Sequence, residues 1–308
     1  MPRVVICIPC HNQGHFLREA INSCMMQDYE NLHVVVLDDN SKDNTKEILH
    51  SLSHRYTNLH FLHSQEPSGT GGSFNKCIEF SKQPYIDADI IVLLCSDDAF
   101  TCPQVISDIV KTFETYPDCV HVSRWYHQFI DGDRRPVRAW RGDDVIELAN
   151  NPSGMAFRRN AMSELSLSNK MFVEVSTLVS DIIQRGFYSI LKYDTVAVRI
   201  HQSISRNKDY YLKRWTASPV QEWSKLGGQS LLNDFTSLIQ IKNYFTMEAV
   251  LKETWNFIHL KPINIINPCF LFFALVAILT PRKILIHIPH WYRITFGRWF
   301  TKEVKREN

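Results

Sequence analysis

Two pairs of adjacent carboxylates follow runs of apolar residues in this sequence. Asp38 and Asp39 come after "HVVVL", and Asp97 and Asp98 come shortly after "IIVLLC". Two charges beside a buried strand cost free energy unless something pairs with them, and a bound cation is one candidate partner. Clustered carboxylates with few His or Cys neighbours favour Mg²⁺ or Mn²⁺, ions that commonly bridge substrate phosphates. The sequence therefore points to a nucleotide carrying a diphosphate.

The elements that must position these carboxylates alternate between strand and helix. The apolar, β-branched stretches predict strands at Val4–Pro9, His33–Leu37, Leu59–His63 and Asp89–Cys95. Helical spacing predicts helices at Phe16–Met26, Asn44–His54, Ser73–Ser81 and Cys102–Tyr116, with a turn at Gly69–Gly72. We expect Ser41 or Asn44 to cap the second helix. This alternation is typical of a parallel, doubly wound sheet, whose ligands bind beyond the carboxyl ends of the strands. Both carboxylate pairs should therefore face one crevice.

The composition is that of an ordinary globular protein. The chain has 308 residues, of which 44% are hydrophobic and 21% charged, and its net charge of +2 gives no indication of nucleic-acid binding. The opening "MPRVVICIPC" lacks signal-peptide architecture, so we expect a cytoplasmic catalytic part. Its C-x-x-C motif, Cys7 to Cys10, lies in a predicted strand rather than at a helix N-terminus, which argues against a redox pair.

Nucleotide-binding motifs of two large classes are missing from the sequence. It contains no G-x-x-x-x-G-K-[ST], which excludes a P-loop ATPase, and no G-x-G-x-x-G follows the first strand. A dinucleotide-binding enzyme is thus disfavoured.

The stretch "VVICIPCHNQGHFLREAINSCMMQDYENLHVVVLDDNSKDNT" (Val4–Thr45) resembles the opening of the inverting family 2 glycosyltransferases. Those chains share a Pro-x-x-Asn turn, a Q-x-Y segment and Asp-Asp-x-Ser-x-Asp-x-Thr after the second strand. Four later segments resemble family motifs in the same order: "GTGGSFNKCI", "CSDDAFTCP", "SGMAFRRNAM" and "VRIHQSISR". The resemblance covers roughly residues 3–207. It implies the GT-A fold, a doubly wound, mostly parallel sheet with flanking helices.

The resemblance also implies roles for individual residues. Asp98 and His201 would hold Mn²⁺ or Mg²⁺, which bridges the diphosphate of a nucleotide-sugar donor, expected to be a UDP-sugar. Pro9 and Asn12 would line the base pocket. The residues expected to contact the donor are Pro9, Asn12, Asp38, Asp39, Asn75, Asp97, Arg199 and Ser205.

The sequence departs from the family at two positions. Cys95 stands where the metal motif often opens with Asp. The family's general base, an Asp on a helix that ends in a Gly matched here by Gly186, falls on Val175. Glu174, one residue away, and Asp181, on the same helix, are the candidates for the base, and a residue elsewhere stays open.

The C-terminal part differs from the rest. We expect a catalytic domain over residues 1–210, with a nucleotide-sugar half of about 1–118 and an acceptor half of about 119–210, and a helical extension over 211–308. Within it, Cys269–Leu279 is apolar without a break, and Pro281–Asn308 holds seven basic and two acidic residues interleaved with aromatic residues. Such a tail favours the membrane interface, on the cytosolic face. The acceptor would then be a lipid-linked or cell-envelope glycan.

Other classes compete with a metal-dependent glycosyltransferase. A sugar-phosphate nucleotidyltransferase would need a basic Gly-rich loop after the first strand, and "PCHNQGHF" lacks one. A response-receiver domain would need its acidic pair after the first strand, not the second. A glycan- or nucleotide-binding pseudo-enzyme of the same fold stays open because of Val175.

Overall fold

The computed structural model describes residues 1–143, 151–162 and 174–201, together with Leu148, Leu165 and Leu167. The strands in these residues are β1 (Val4–Cys10), β2 (Leu32–Asp38), β3 (Leu59–His63), β4 (Ile90–Leu93), β5 (Ala99–Phe100), β6 (Cys119–Ile130), β7 (Asp133–Trp140), β8 (Ala156–Arg158) and β9 (Phe187–Ile200). The helices are α1 (Gly14–Met25), α2 (Thr45–Ser53), α3 (Gly69–Phe80), α4 (Val105–Thr115) and α5 (Glu174–Ile182), with a 3₁₀ turn at Arg159–Met162.

One mixed, mostly parallel sheet organises the described residues. The strand order is β3-β2-β1-β4-β8-β6-β9-β5, and β7 pairs with β6. Parallel pairing joins β3, β2, β1 and β4, and it joins β6 to β9. The short β8 runs antiparallel between β4 and β6. The predicted fold class, a doubly wound and mostly parallel sheet with flanking helices, is confirmed.

The two faces of the sheet carry two separate hydrophobic clusters. In β1, Val4, Ile6 and Ile8 pack into a cluster with α1, α2 and α4, whereas Val5 and Cys7 pack into a cluster with α3 and α5. Every residue of β1 is buried because helices cover both faces, which explains its unbroken apolar sequence. Pro9 fits in this central strand because β4 pairs with β1 only as far as Cys7.

The structure corrects the expected glycine turn at 69–72. These residues form the first turn of α3, because the Asp39 carboxylate accepts hydrogen bonds from the backbone N–H groups of Ser68 and Gly69 and so caps the helix. Gly69 has φ +74°, a conformation that glycine adopts without steric cost.

The expected caps and helix starts change for similar reasons. Asn44 occupies the N-cap position of α2 without a side-chain hydrogen bond; the Asp43 carboxylate accepts from the backbone N–H of Thr45 instead. Helix α4 begins at Val105 rather than Cys102, because the Gln27 side chain donates to the Cys102 carbonyl and accepts from the backbone N–H of Ile106. The Gln of the Q-x-Y segment therefore fixes the start of α4.

The C-x-x-C motif has the environment of buried free thiols. Cys7 and Cys10 both lie in β1, and both are free. Burial raises the pKa of the Cys10 thiol to about 11, and burial together with Cys77 raises the pKa of Cys7. Neither thiol is poised as a thiolate, in agreement with the sequence argument.

The predicted helical extension over 211–308, including Cys269–Leu279 and the basic tail, lies outside the described residues. Within the residues that are described, no helix has the length and apolar character needed to cross a bilayer. The domain boundary near residue 210 stays a prediction.

Candidate active site

The carboxyl ends of β1, β2, β4 and β9 bring the predicted site residues to one edge of the sheet. β2 ends at Asp38, and the chain after β4 continues from Leu94 to Asp98. His201 follows the last residue of β9. Since all four strands are linked through parallel pairing or through β8 and β6, the edge is the one where this type of sheet binds ligands.

Asp98 is one of three almost fully buried carboxylates of this edge, together with Asp38 and Asp39. It is 3% exposed, and its Oδ2 accepts hydrogen bonds from Ser153 Oγ at 2.6 Å and Asn151 Nδ2 at 3.3 Å. Its Oδ1 accepts from the backbone N–H of Arg199 at 2.9 Å. Burial, and next the charge of Asp97, raise the pKa of Asp98 to about 7 despite these donors. The three groups that donate to Asp98 are a hydroxyl, an amide and a backbone N–H, and none of them carries a charge.

Asp97 is held by His201 and Gln13. Its Oδ2 lies 2.8 Å from His201 Nε2 and accepts a longer hydrogen bond, 3.4 Å, from Gln13 Nε2. The Ser96 hydroxyl donates to Gln13 Oε1 and so orients that side chain. The His201 ring packs against Phe16 with ring centroids 4.6 Å apart. The structure thus brings Asp97, Asp98 and His201 together, as the sequence predicted.

Arg199 has surroundings that differ from the predicted phosphate contact. Its guanidinium lies 2.7 Å from Glu19 Oε2 and 2.6 Å from Asp131 Oδ1, and its Nε donates to the Asp97 carbonyl at 3.0 Å. The side chain is 6% exposed and lies between the Phe16 and Phe129 rings. Two carboxylates already neutralise this cation, so Arg199 supports the aspartate pair from behind rather than presenting a free charge to a phosphate.

The loop that precedes β8 supplies two residues that the sequence analysis did not assign. Ser153 and Asn151 donate to Asp98, and Ser153 Oγ also accepts from the backbone N–H of Cys95 at 2.9 Å. Behind this loop the buried Arg124 of β6 donates to the Ser153 and Asn151 carbonyls. The signal in the sequence is a polar "NPSG" run whose Ser153 and Gly154 begin the segment that resembles a family motif.

The first carboxylate pair is engaged differently. Asp39 accepts from the backbone N–H and hydroxyl of Ser68 and from the backbone N–H of Gly69, at distances of 2.7 to 2.9 Å. Asp38 accepts from the backbone N–H of Ser41 at 2.9 Å and lies 2.9 Å from His63 Nδ1. Both carboxylates are thus engaged by donors of the chain itself.

The remaining donor-site residues have mixed surroundings. Pro9 is buried in β1, whereas Asn12 is exposed with φ +54° and accepts from the backbone N–H of Lys42 at 2.7 Å. The Asn75 side chain donates to the Leu167 carbonyl at 2.7 Å and accepts from the Leu167 backbone N–H at 2.9 Å. Asn75 therefore ties α3 to Leu167 and does not face the crevice freely. Ser205 lies outside the described residues.

The two candidates for the general base lie at opposite ends of α5. The helix begins at Glu174, whose side chain is not among those described, and Val175 is buried in the cluster beneath the sheet. Asp181 belongs to the last turn, which leads back to the start of β9, away from the crevice edge. Burial raises the pKa of Asp181 to about 6, partly offset by Arg185. The topology favours Glu174 over Asp181.

The donor set fits a hard divalent cation. Ligand atoms of Cys95, Asp97 and Asp98 lie within 4.8 Å of one another. Burial, followed by the charges of Asp98 and Asp97, raises the pKa of the Cys95 thiol. A protonated thiol is a poor ligand, so the two carboxylates are the ligands that the chemistry supports. Burial, and next the charge of Asp97, raise the pKa of Asp98, and a cation beside the pair would favour its ionised form.

Comparison with known structures shows the class of fold. The crystal structure of S. aureus TarS 1-349 in complex with UDP-GlcNAc superposes on this chain with a TM-score of 0.60 at 13% identity. The superposition covers 95% of this chain and 92% of the TarS chain. A mannosyltransferase from Pyrobaculum calidifontis, in complex with GDP-Man and Mn²⁺, gives 0.53 at 16% identity, covering 90% and 87%. Both likenesses are to the fold, and the fold is that of GT-A glycosyltransferases.

The family follows from the sequence match. The model of glycosyl transferase family 2 matches residues 5–174, more than half of the chain. The chain therefore belongs to glycosyl transferase family 2, and the predicted family is confirmed.

Curated relatives match in part. A GalNAc(5)-diNAcBac-PP-undecaprenol beta-1,3-glucosyltransferase of Campylobacter jejuni is 29% identical over 117 residues, 38% of this chain and 36% of the relative. For four other curated relatives, the matched segment spans 23% to 53% of the relative's length.

Proposed function

We propose that the chain transfers a sugar from a nucleoside-diphosphate sugar to a hydroxyl acceptor, with inversion at the anomeric carbon. The observation that carries the proposal is the Asp97–Asp98–His201 group at the ligand-binding edge of a family 2 fold. The relatives and the two structural neighbours support it, since those structures are complexes with UDP-GlcNAc and with GDP-Man.

Asp97 and Asp98 would hold a divalent cation, Mn²⁺ or Mg²⁺. When bound, the cation neutralises charge that develops on the leaving nucleoside diphosphate. The chain contributes a carboxylate pair fixed in place: Arg199 N–H and Ser153 Oγ hold Asp98, and His201 holds Asp97. We keep His201 as a second candidate ligand, because its Nε2 already points at the Asp97 carboxylate.

The base and ribose of the donor would lie over the ends of β1 and β2. Pro9 is the next-to-last residue of β1 there, and the exposed Asn12 follows the strand. Asp38 and Asp39 would shape this pocket through the turns that they hold, and their remaining lone pairs can accept from a ribose hydroxyl. A UDP-sugar is the donor that we propose, and the TarS structure in complex with UDP-GlcNAc, which shares the fold, supports it.

The acceptor hydroxyl needs a base, and we propose Glu174 for this role. A carboxylate within hydrogen-bond reach of the hydroxyl would take its proton as the oxygen attacks the anomeric carbon from the face opposite the nucleotide. Glu174 begins α5, at the end of the helix remote from the start of β9.

We also propose that the acceptor is a lipid-linked or cell-envelope glycan reached at the cytosolic face of the membrane. The basic, aromatic sequence of Pro281–Asn308 favours the membrane interface. The Campylobacter relative, named for an undecaprenol-linked substrate, supports the same acceptor class.

The experiment that tests the donor site is calorimetric titration with UDP, GDP, CMP, TDP and ADP, each with and without Mn²⁺. We expect one diphosphate to bind in a Mn²⁺-dependent manner, and Asp98→Asn to remove that dependence. The matched control is Asp133→Asn, which changes an exposed carboxylate paired with Arg135 on the β6–β7 hairpin. A panel in which no nucleotide binds, with or without metal, contradicts the proposal.

One observation favours a second function. Val175, at the family's base position, is buried among apolar residues, so no carboxylate could replace it without rearrangement. A binding protein without transferase activity would keep the donor site and lose turnover. Donor hydrolysis or transfer that falls at least ~100-fold in Glu174→Gln while nucleotide affinity is kept favours the enzyme. A wild-type chain that binds donor and shows neither reaction favours the binding protein.

A further inference from the structure

Arg124 is a fully buried cation that the proposed chemistry does not use. It lies in β6 with 0% exposure. Its guanidinium donates to three backbone carbonyls of one segment: Nε to Ser153, one terminal nitrogen to Leu148 at 3.1 Å, and the other to Asn151 at 2.7 Å. The Tyr126 ring lies 4.7 Å from its central carbon.

The segment that Arg124 holds is the one that holds Asp98. Ser153 Oγ donates to Asp98 Oδ2 at 2.6 Å, and Asn151 Nδ2 donates to the same oxygen at 3.3 Å. Each of these two residues therefore gives its backbone carbonyl to Arg124 and its side chain to Asp98. The contacts form an unbroken path from the guanidinium to one carboxylate oxygen.

The path has little room to adjust. Gly154 has φ +85°, and a Cβ there would lie 2.6 Å from a Val196 methyl and 3.2 Å from Arg124 Nε. The same turn is fastened to the end of β4 by hydrogen bonds from Gly154 N–H to the Leu93 carbonyl and from Leu93 N–H to the Met155 carbonyl. Packing on both sides thus transmits the position of the guanidinium to Ser153.

Stability alone would not favour an arginine at this position. Among the described residues, no carboxylate oxygen lies within ion-pair distance of Arg124, and a buried charge satisfied only by carbonyls carries a large desolvation cost. The planar guanidinium can nevertheless donate to the three carbonyls at once, which a lysine ammonium cannot do with the same geometry.

We infer that Arg124 is a positioning residue that fixes Ser153 and Asn151 and thereby sets the Asp98 carboxylate for cation binding. This inference rests on the proposed function, in which Asp98 binds a divalent cation. It assigns Arg124 no contact with the donor or with the cation.

The test compares Arg124→Lys with Arg158→Lys in the full chain. Arg158 is a matched control because its guanidinium also binds backbone carbonyls, those of Cys119 at 2.7 Å and Phe113 at 2.6 Å, and lies 4.9 Å from a ring. It is the last residue of β8 and pairs with Ile90 at the start of β4, at the opposite edge of the sheet. Both variants should lose stability on thermal unfolding, since both lose carbonyl partners.

Only Arg124→Lys should change cation binding. The dissociation constant of Arg124→Lys for Mn²⁺ is measured without nucleotide from the electron paramagnetic resonance signal of free Mn²⁺. It should rise about tenfold or more, because a displaced ligand carboxylate costs on the order of 1.4 kcal/mol. Arg158→Lys should match wild type. Ser153→Ala should reproduce the loss, and adding Arg124→Lys to it should weaken binding little further. Equal Mn²⁺ affinity in Arg124→Lys and wild type overturns the inference.

A measurement on the wild-type chain covers the case in which Arg124→Lys does not fold. With ¹⁵N-arginine labelling, titration with Mg²⁺ should shift the Arg124 Nε–H resonance and leave that of Arg158 in place. A saturable Mg²⁺ effect on Asp98 without any shift at Arg124 overturns the inference. A wild-type chain that binds neither Mn²⁺ nor Mg²⁺ overturns instead the proposed metal site on which it rests.

Discussion

The two carboxylate pairs are alike in sequence and unlike in the structure. Asp38 and Asp39 are buried, and their oxygens accept hydrogen bonds from the chain's own turns, above all from the start of α3. Asp97 and Asp98 also accept hydrogen bonds from the chain, yet burial, and next the charge of Asp97, raise the pKa of Asp98 to about 7. The second pair therefore has more to gain from a cation than the first.

The difference shows what separates a structural carboxylate from a ligand-binding one. Both kinds are buried, and both follow a strand at the same edge of the sheet. What distinguishes them is whether the start of a helix meets the carboxylate, as it meets Asp39, or whether burial and a neighbouring carboxylate raise its pKa, as at Asp98. Each prediction below tests one side of this contrast.

The largest effect is expected for Asp98→Asn. Removing the charge should weaken Mn²⁺ binding by at least ~100-fold, since the cation loses a ligand that is already fixed by Ser153 and the Arg199 backbone. Calorimetry with Mn²⁺ alone measures it. Thermal unfolding of the metal-free variant should show no loss of stability, because the amide also removes a buried charge. A variant that binds Mn²⁺ like wild type would place the cation elsewhere.

The second pair should also respond to pH. Folding raises the pKa of Asp98 from 3.8 to about 7, so between these values the folded chain holds a proton that the unfolded chain has released. The unfolded state then binds fewer protons, and stability rises as the pH falls through 7. Relative to Asp98→Asn, the metal-free wild type should gain on the order of 2 kcal/mol between pH 8 and pH 5.

Urea unfolding of the two proteins in parallel, with a chelator present, measures this difference. Titrating groups remote from Asp98 contribute equally to both proteins and cancel, and the remaining difference belongs to Asp98 together with Asp97. A stability difference that stays flat from pH 8 to pH 5 would show that Asp98 is ionised throughout, and the contrast between the pairs would fail.

The first pair should act on stability instead. Asp39→Ala removes the acceptor of the Ser68 and Gly69 N–H groups and should cost about 1–2 kcal/mol, the usual range for a lost helix cap. Urea unfolding measures the loss, and Mn²⁺ affinity without nucleotide should stay at the wild-type value. Asp39→Asn, which keeps one acceptor oxygen, is the milder control. Unchanged stability in Asp39→Ala would make the cap energetically irrelevant.

Much of the fold could be predicted from the sequence because its signals are local. Apolar runs such as Val4–Cys10 and the spacing of α1 are visible in a short window, and the carboxyl-edge rule then places Asp98 and His201 at one edge. The prediction of a glycine turn at 69–72 was wrong. The residue that caps the helix there, Asp39, lies 30 positions earlier in the chain.

The supporting residues of the site were beyond prediction for the same reason. Arg124 and Ser153 act through backbone carbonyls and a buried hydroxyl, contacts that leave no spacing pattern. Arg199 was assigned to phosphate from a motif, yet its charge is taken up by Glu19, 180 positions away. Sequence finds where charges accumulate at the sheet edge; only three-dimensional contacts show which of them are already paired.

The smallest effect is expected for Asp38→Asn. The side-chain oxygen can still accept from the Ser41 N–H, so the turn that follows β2 should persist. The lost contact is the one with His63, whose side chain is 45% exposed, and an ion pair that exposed contributes less than about 1 kcal/mol. Urea unfolding should therefore place Asp38→Asn within ~0.5–1 kcal/mol of wild type and clearly above Asp38→Ala, which also leaves the Ser41 N–H without its acceptor. If Asp38→Asn proved as damaging as Asp38→Ala, the charge rather than the hydrogen bond would matter at Asp38. The first pair would then resemble the second, and a cation at both ends of the crevice would have to be considered.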